Sequence, residues 1–214
     1  MDFATARTNM VESQLRTNRV TSEAVAERFR QIPREMFVSE ANRNLAYVDE
    51  DLPVQQLGSA NLRYLMEPMV LGRLIQEAEL SLSDTVLDVG CTSGYASVVM
   101  AGLVSSVVAL DQEARLLKRA EEIIEELEIY NITIEKGKLT GGWKAQAPYD
   151  VILVNGAVPE APTALTDQLA DGGRLLAVID TNSDEPDNTP GRATLFLRTG
   201  DHISDTYLFD AHVK

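Results

Sequence analysis

Residues 86–97, VLDVGCTSGYAS, decide the architecture that the rest of the chain follows. The apolar run that ends at Val89 leads directly into a turn marked by Gly90 and Gly94, and a helical pattern begins at Tyr95. In open α/β sheets, ligands bind in the crevice outside the carboxyl ends of the strands, where such a turn joins a strand to its helix. We therefore predict a strand, a glycine turn and a helix here, with a cofactor as the expected occupant of the crevice.

Downstream of this turn, predicted strands alternate with helical segments. A helix is predicted over 113–127, and strands are predicted over 85–89, 106–110, 132–135, 149–154 and 174–179. This alternation, which we expect to continue through all these strands, is typical of a parallel sheet with crossover helices. Two final strands, 193–198 and 203–209, are joined by so short a turn, around Gly200, that they must be antiparallel. The predicted fold class is α/β, a mostly parallel sheet with a C-terminal antiparallel hairpin.

Residues 1–80 are predicted to form an N-terminal helical extension. Thr21 or Ser22 is a suitable N-cap for one helix, Pro33 ends that helix, and Pro68 suits the first turn of another. We expect residues 1–80 to form this extension together with an active-site loop, packed on a core formed by residues 81–214.

Two long loops are predicted. Residues 49–68 are interrupted by prolines and a glycine over a stretch too long for a simple connector, and long loops of this kind are often functional. Between Asp180 and Arg192, the Asn, Asp, Pro and Gly content predicts an exposed, mobile loop. The sequence does not decide whether this second loop closes over the site.

Composition and charge exclude several classes of protein. The chain has 214 residues and 44% hydrophobic content, which suits one soluble globular domain. Its 19 Lys and Arg against 33 Asp and Glu give a net charge of −14, which would repel nucleic-acid phosphates and anionic membranes. We expect no partner of either kind. The single cysteine, Cys91, allows no internal disulfide or cysteine metal cluster, and the sequence starts without a signal-like apolar run. A cytoplasmic protein without a metal site is expected.

Acidic residues at two strand ends indicate the class of cofactor. Asp88 could accept a hydrogen bond from a ligand ammonium, Asp111 could accept both hydroxyls of a ribose, and Gly90 would bring backbone N–H groups close to the ligand. The dinucleotide fingerprint is absent, because Thr92 and Ala96 stand where its later glycines are needed. A cationic, phosphate-free ligand such as S-adenosylmethionine fits best, and the pattern resembles class I methyltransferases. A dehydrogenase and a turn without a ligand remain as alternatives.

Motifs along nearly the whole chain carry a more specific resemblance. In chain order they are VESQLR, IPREMFV, LAYVDEDLP, MEPMV, VLDVGCTSGY, VVALD, GGWKAQAPYDVILVNGA and LADGGRLLAV. Together they resemble the protein-L-isoaspartate O-methyltransferase family, to which PREMFV and the GW…APYD stretch are specific. The resemblance implies a Rossmann-like class I methyltransferase core. It also implies methyl transfer from S-adenosylmethionine to the α-carboxyl of an isoaspartyl residue in a damaged protein, whose ester then collapses to a succinimide and allows repair.

The resemblance also implies a cofactor site on particular residues. They are Asp88, Gly90, Cys91 and Gly94 in the turn, Asp111 and Gln112 near the ribose, Gly137, Lys138 and Leu139 near the adenine, and Asn155 and Gly156 in the crevice. A sulfonium is already activated and a carboxylate is already nucleophilic, so alignment and exclusion of water suffice without a general base. No residue is therefore assigned a catalytic role, and His202 and His212 are expected at the surface.

Three positions differ from the usual pattern of the family. Thr92 replaces the middle glycine of the turn, and Lys138 stands where an Asp usually accepts from the adenine amino group. Met66 takes the place of a serine that helps position the substrate, so Met66 and the adjacent Glu67 are our candidate substrate-site residues. Ordinary packing is the alternative for Met66. For the whole chain, the alternative is a catalytically silent or acceptor-changed homologue that acts as a binding or partner protein.

Overall fold

The fold is built on one large sheet. A computed structural model describes residues 2–54, 62–160, 162–180 and 190–214. The strands are β1 (Leu52–Pro53), β2 (Tyr64–Leu65), β3 (Thr85–Val89), β4 (Ser106–Asp111), β5 (Ile132–Lys136), β6 (Tyr149–Val158), β7 (Leu169–Ile179), β8 (Gly191–Thr199) and β9 (His202–Ala211). The α-helices are α1 (Phe3–Met10), α2 (Glu23–Gln31), α3 (Pro68–Glu77), α4 (Tyr95–Ala101), α5 (Ala114–Glu126) and α6 (Thr163–Thr166).

The seven-stranded sheet has the order β5-β4-β3-β6-β7-β8-β9, so β5 and β9 are its outer strands. The pairs from β5 to β7 are parallel, whereas β8 is antiparallel to both β7 and β9. This topology confirms the predicted mostly parallel α/β sheet with a C-terminal antiparallel hairpin. It also brings the carboxyl ends of β3, β4 and β6 side by side, which is where the candidate site lies.

The predicted alternation of strands and helices is wrong between β5 and β6. Only two short 3₁₀ turns, Leu139–Gly141 and Lys144–Gln146, occupy this described connection. Its sequence explains the difference, because several glycines, among them Gly142 at φ +61°, and a proline at 148 are poor helix formers. The connection therefore crosses one face of the sheet without a helix, and Leu139, Trp143 and Ala147 pack against the core on that face.

The N-terminal extension follows the predicted helix signals. The Ser22 hydroxyl accepts from the Val25 N–H at 3.4 Å and caps α2, which ends just before Pro33, and α3 begins at Pro68. The long segment before α3 contains a feature that was not predicted, the antiparallel pair of β1 and β2. Residues 55–61 of that segment and 181–189 of the predicted mobile loop lie outside the described residues.

The extension and the sheet share one hydrophobic core. Buried hydrophobic residues form a cluster on each face of the sheet. Val86 of β3 packs with the extension in the first and main core, and Leu87 of β3 packs in the second core on the other face, as strand geometry requires. The fully buried Arg34 lies within the first core, where Nε donates to the Ala46 carbonyl and Nη2 to the Met66 carbonyl, both at 2.8 Å. This arginine ties the segment before α3 to the extension. Within the described residues, none of the helices combines the length and the apolar character that crossing a bilayer requires.

Candidate active site

The glycine turn brings two buried carboxylates to the same edge of the sheet. Asp88 lies near the end of β3 and Asp111 ends the neighbouring β4, and both are fully buried. Gly90 and Gly94 have φ of +82° and +91°, in the left-handed region that favours glycine. A Cβ added at Gly90 would lie 3.3 Å from the Asn155 carbonyl oxygen. Glycine at this position therefore allows the turn to approach the end of β6 closely.

Asp111 is held mainly by backbone donors. Its carboxylate accepts from the N–H groups of Thr92 at 3.0 Å, Gln112 at 2.7 Å and Glu113 at 3.0 Å. Within the described part of the chain its only side-chain donor is Arg63, whose Nη2 lies 3.4 and 3.5 Å from the two carboxylate oxygens. The backbone bonds fix the orientation of the carboxylate, and Arg63 is its most distant partner.

Asp88 is held by side chains instead. It accepts from the Ser97 hydroxyl at 2.5 Å and from the Asn155 amide at 3.3 Å. Burial raises the pKa of Asp88 to about 6, an effect that these two hydrogen bonds oppose and the nearby charge of Asp111 reinforces. Asp88 is therefore largely ionised at neutral pH and presents a negative charge beside the turn.

The N–H groups of the turn are mostly used within the protein. Those of Gly90 and Cys91 donate to the Leu110 carbonyl at 2.8 and 3.1 Å, and that of Gly94 donates to the Cys91 carbonyl at 2.8 Å. The N–H of Gly90 itself is therefore used within the protein, because β4 lies alongside and accepts that bond. Phosphate-binding loops instead rely on free N–H groups. The turn is better suited to a ligand without phosphate.

Thr92 and Cys91 fill the buried side of the turn. Thr92 adopts φ +52°, unusual for a residue other than glycine, and its N–H bond to Asp111 accompanies this conformation. Cys91 packs against Ala109 and Leu117, and burial raises the pKa of its thiol well above the ordinary value. A neutral, buried thiol is a poor nucleophile, so Cys91 has a packing role.

A cavity of about 340 Å³ opens beside the turn, within the size range of small-molecule sites. Of the predicted positions, Gly90, Leu139, Asn155 and Gly156 line it. Asp88, Cys91, Gly94 and Asp111 lie buried behind this surface, Gln112 and Lys138 are exposed, and Gly137 is half-buried. The cavity is further lined by Arg63, Val89, Thr140, Val154, residues 157–160 and residues 162–165.

The ring of Trp143 borders the adenine side predicted from the sequence. A Cβ added at Gly137 would lie 3.3 Å from this ring, and Trp143 packs with Leu139 against the second core. The backbone N–H of Gly137 donates to the Asp111 carbonyl at 3.0 Å. The start of the β5–β6 connection is thereby fixed to the end of β4, next to the buried carboxylates.

The candidate substrate residues have different surroundings. Met66 is buried in the main core and does not line the cavity, which favours the packing alternative. Glu67 is half-buried at the N-terminus of α3, where its N–H donates to Asp51 at 2.8 Å and the Met69 N–H donates to Asp49 at 3.1 Å. Carboxylates at a helix N-terminus are stabilising. Burial, and then the charges of Asp49 and Asp51, raise the pKa of Glu67 to about 7.

Sequence reasoning missed Arg63 and the far wall of the cavity. The pairing of β1 with β2 positions Arg63, whose carbonyl accepts from the Val54 N–H at 2.9 Å. Strands of two residues leave no periodicity to detect. The far wall, residues 157–160 and 162–165, lies at the end of β6 and around α6, and its only signal was the run of Pro and Ala after the predicted strand.

Comparisons with known proteins agree along most of the chain. The family model described as protein-L-isoaspartate(D-aspartate) O-methyltransferase matches residues 6–189. The protein-L-isoaspartate O-methyltransferase 1 of Syntrophobacter fumaroxidans is 34% identical, over 84% of this chain and 81% of that protein. A protein-L-isoaspartate O-methyltransferase of Koribacter versatilis is 37% identical, over 83% of this chain and 78% of that protein.

Two solved structures share the fold over nearly the full length. One, a protein-L-isoaspartate O-methyltransferase, has a TM-score of 0.83 at 24% identity and covers 97% of this chain, which spans 64% of that longer chain. Another, a protein from Plasmodium falciparum assigned to the same activity and solved with S-adenosyl-L-homocysteine, has a TM-score of 0.78 at 20% identity, over 97% and 96% of the two chains. At these identities, the two structures support the fold.

Proposed function

We propose that this chain, which belongs to the protein-L-isoaspartate(D-aspartate) O-methyltransferase family, transfers a methyl group from S-adenosylmethionine to a carboxylate of an isoaspartyl residue in a damaged protein. The observation that carries the proposal is the pair of buried carboxylates, Asp88 and Asp111, at neighbouring strand ends beside a cavity of about 340 Å³. Their negative charge suits a cationic cofactor, and their spacing along adjacent strands suits a nucleoside.

The residues present fit S-adenosylmethionine in chemistry. Asp88 would accept from the ammonium of the cofactor and Asp111 from its ribose hydroxyls, while Leu139 and the Trp143 ring offer an apolar surface for the adenine. The turn N–H groups that are already bonded leave no cradle for a phosphate. Bound there, the cofactor supplies a methyl group on a sulfonium that is already activated for transfer.

The protein contributes positioning. A carboxylate acceptor needs no general base, so the chain must hold it in line and keep water out. The wall formed by the end of β6 and by α6 would exclude water on one side.

No specific observation favours the silent homologue. Thr92 fits the turn in a left-handed conformation and donates to Asp111, and Lys138 projects from the exposed surface. Met66 packs as an apolar side chain in the main core. These departures are compatible with a cofactor site, so the enzyme remains the proposal.

Cofactor binding is tested first. S-adenosylhomocysteine should raise the unfolding temperature, since a ligand at a hundred times its Kd stabilises by about 2.7 kcal/mol. Methyl transfer is then measured as a mass gain on an isoaspartyl peptide beside the matching aspartyl peptide, and only the isoaspartyl peptide should gain a methyl group. Absence of any stabilisation at millimolar S-adenosylhomocysteine would contradict the proposed methyltransferase activity. Binding without transfer to either peptide would point to a changed acceptor, and stabilisation by NAD alone would restore the dehydrogenase.

A further inference from the structure

Arg63 is the one partner of Asp111 that a ligand can replace. The three backbone donors of Asp111 belong to the turn and to the start of α5, so they cannot leave without unfolding these segments. Arg63 instead reaches Asp111 through a long side chain at 3.4 and 3.5 Å, distances at the limit of a hydrogen bond. It therefore occupies the part of the carboxylate that would otherwise accept from a ribose.

The guanidinium of Arg63 is incompletely bonded where it lies. Its Nε is buried and has no hydrogen-bond partner among the described residues, although an arginine has five N–H donors in a planar fork. The side chain lies at the edge of the cavity, about one-fifth exposed. The described residues therefore leave this guanidinium with spare donors, beside the space in which an acceptor would bind.

Arg63 also supplies the positive charge that the cavity otherwise lacks. Among the described residues that line the cavity, Arg63 is the only cation, and Glu160 is the only anion. The protein as a whole carries a net charge of −14, which gives no general attraction for a carboxylate. A carboxylate acceptor needs a specific donor, and an arginine fork binds a carboxylate through two parallel hydrogen bonds.

We propose that Arg63 is a positioning residue with two successive partners. Without cofactor it pairs with Asp111; cofactor hydroxyls take its place there, and the released guanidinium then holds the acceptor carboxylate. This inference rests on the proposed function and names the residue that recognises the acceptor. Because the two partners compete for one guanidinium, an acceptor that binds Arg63 frees Asp111, so acceptor and cofactor strengthen each other's binding to the same extent.

The test measures binding of S-adenosylhomocysteine by calorimetry, with and without an isoaspartyl peptide, in the wild type, Arg63→Gln and Arg63→Lys. In the wild type, the peptide should tighten binding about fivefold. In Arg63→Gln, binding without peptide should be several-fold tighter than in the wild type, and the peptide should have no further effect. Arg63→Lys should keep part of the coupling because it keeps the charge. Arg43→Gln, which removes an exposed arginine, is the matched control and should behave like the wild type.

Kinetics give a second readout. Arg63→Gln should raise the KM for the isoaspartyl peptide at least tenfold and change kcat much less. Unchanged ligand affinity and unchanged coupling in Arg63→Gln would overturn the inference and leave the proposed function intact. If Arg63→Gln does not fold, absence of coupling in the wild type alone overturns the inference. No binding of S-adenosylhomocysteine by any variant would instead remove the proposed function itself.

Discussion

The cofactor side of the candidate site and the segment before α3, where the substrate residues were predicted, are held by different kinds of contact. On the cofactor side, Asp111 is held by N–H groups of the adjacent turn and of its own strand end, and Asp88 by Ser97 in the helix that follows the turn. In the segment before α3, the Met66 carbonyl accepts from Arg34, which is 32 positions away in sequence. Asp111 is thus held mainly by backbone N–H groups, whereas the segment before α3 is held by a side chain from a distant part of the sequence.

The cofactor side and the segment before α3 also differ in how they accommodate negative charge. Asp111 is surrounded by donors, whereas Glu67 lies among other carboxylates and has a raised pKa. A buried carboxylate near a strand end can thus be oriented by backbone donors and accept hydrogen bonds from a ligand. A half-buried carboxylate near the start of a helix can instead be held partly protonated by the charges around it.

The largest expected effect comes from replacing Asp111 on the cofactor side. Asp111→Asn should weaken S-adenosylhomocysteine binding about 100-fold, or about 2.7 kcal/mol, because the amide NH₂ would face the backbone donors that the carboxylate now accepts from. Calorimetric titration checks this. The exposed Asp201→Asn removes the same charge and should bind like the wild type. Equal loss in both variants would mean that only the net charge matters.

Gly90→Ala tests whether the close approach of the turn to β6 is needed. A methyl group at φ +82° costs about 1–2 kcal/mol of stability and crowds the Asn155 carbonyl. Gly172→Ala is the matched control, since Gly172 has φ +77° with nothing within 4 Å of an added Cβ. Both variants should lose stability in urea unfolding, but only Gly90→Ala should weaken S-adenosylhomocysteine binding, by about tenfold. Equal binding in the two would show that the approach is dispensable.

The segment before α3 is tested at Glu67, through the pH dependence of the free energy of unfolding. The pKa of Glu67 is raised in the folded protein to about 7 from an ordinary 4.5, so its stabilising contribution is complete below pH 4.5 and is lost as the pH rises through 7. Glu67→Gln should therefore be more stable than the wild type at pH 8.5, by about 1 kcal/mol after allowance for solvent screening.

Urea unfolding between pH 5 and 8.5 measures this difference, which should shrink toward the acid end. The control Glu126→Gln removes an equal charge from the exposed face of α5 and should follow the wild-type curve. A constant gain for Glu67→Gln across this range would contradict the raised pKa and indicate a packing effect.

The smallest effect concerns Asp88. Its pKa of about 6 predicts that S-adenosylhomocysteine binding weakens as the pH falls through 6, since the protonated carboxyl no longer attracts a cation. Ser97→Ala removes a hydrogen bond that lowers this pKa and should move the midpoint of the binding curve upward by about half a pH unit. Ser105→Ala, at an exposed position, should leave the midpoint unchanged. If the midpoint of the binding curve were the same in Ser97→Ala as in the wild type, Asp88 would not be the titrating group.

The same contrast explains what could be predicted from the sequence. The strand–turn–helix around Gly90 follows from the apolar run that ends at Val89 and from two glycines, and the register of parallel strands then places Asp111 beside it. Arg63 could not be found this way, because its position depends on the two-residue pairing of β1 with β2. The absence of a helix between β5 and β6 reflects several individually weak signals, whose combined effect is only evident once the strands are in place.

The outer strand β9 gives the acidity of the chain a role in keeping molecules apart. A ten-residue strand at a sheet edge presents unpaired backbone groups that can pair with another strand. Side chains over 202–207 are exposed, among them the apolar Ile203 and Tyr207, which would favour such pairing. Asp205 and Asp210 lie on the same strand, so two copies meeting edge to edge would bring like charges together without water between them. Neutralising both aspartates would leave the fold unaltered and make the protein prone to aggregate through this edge.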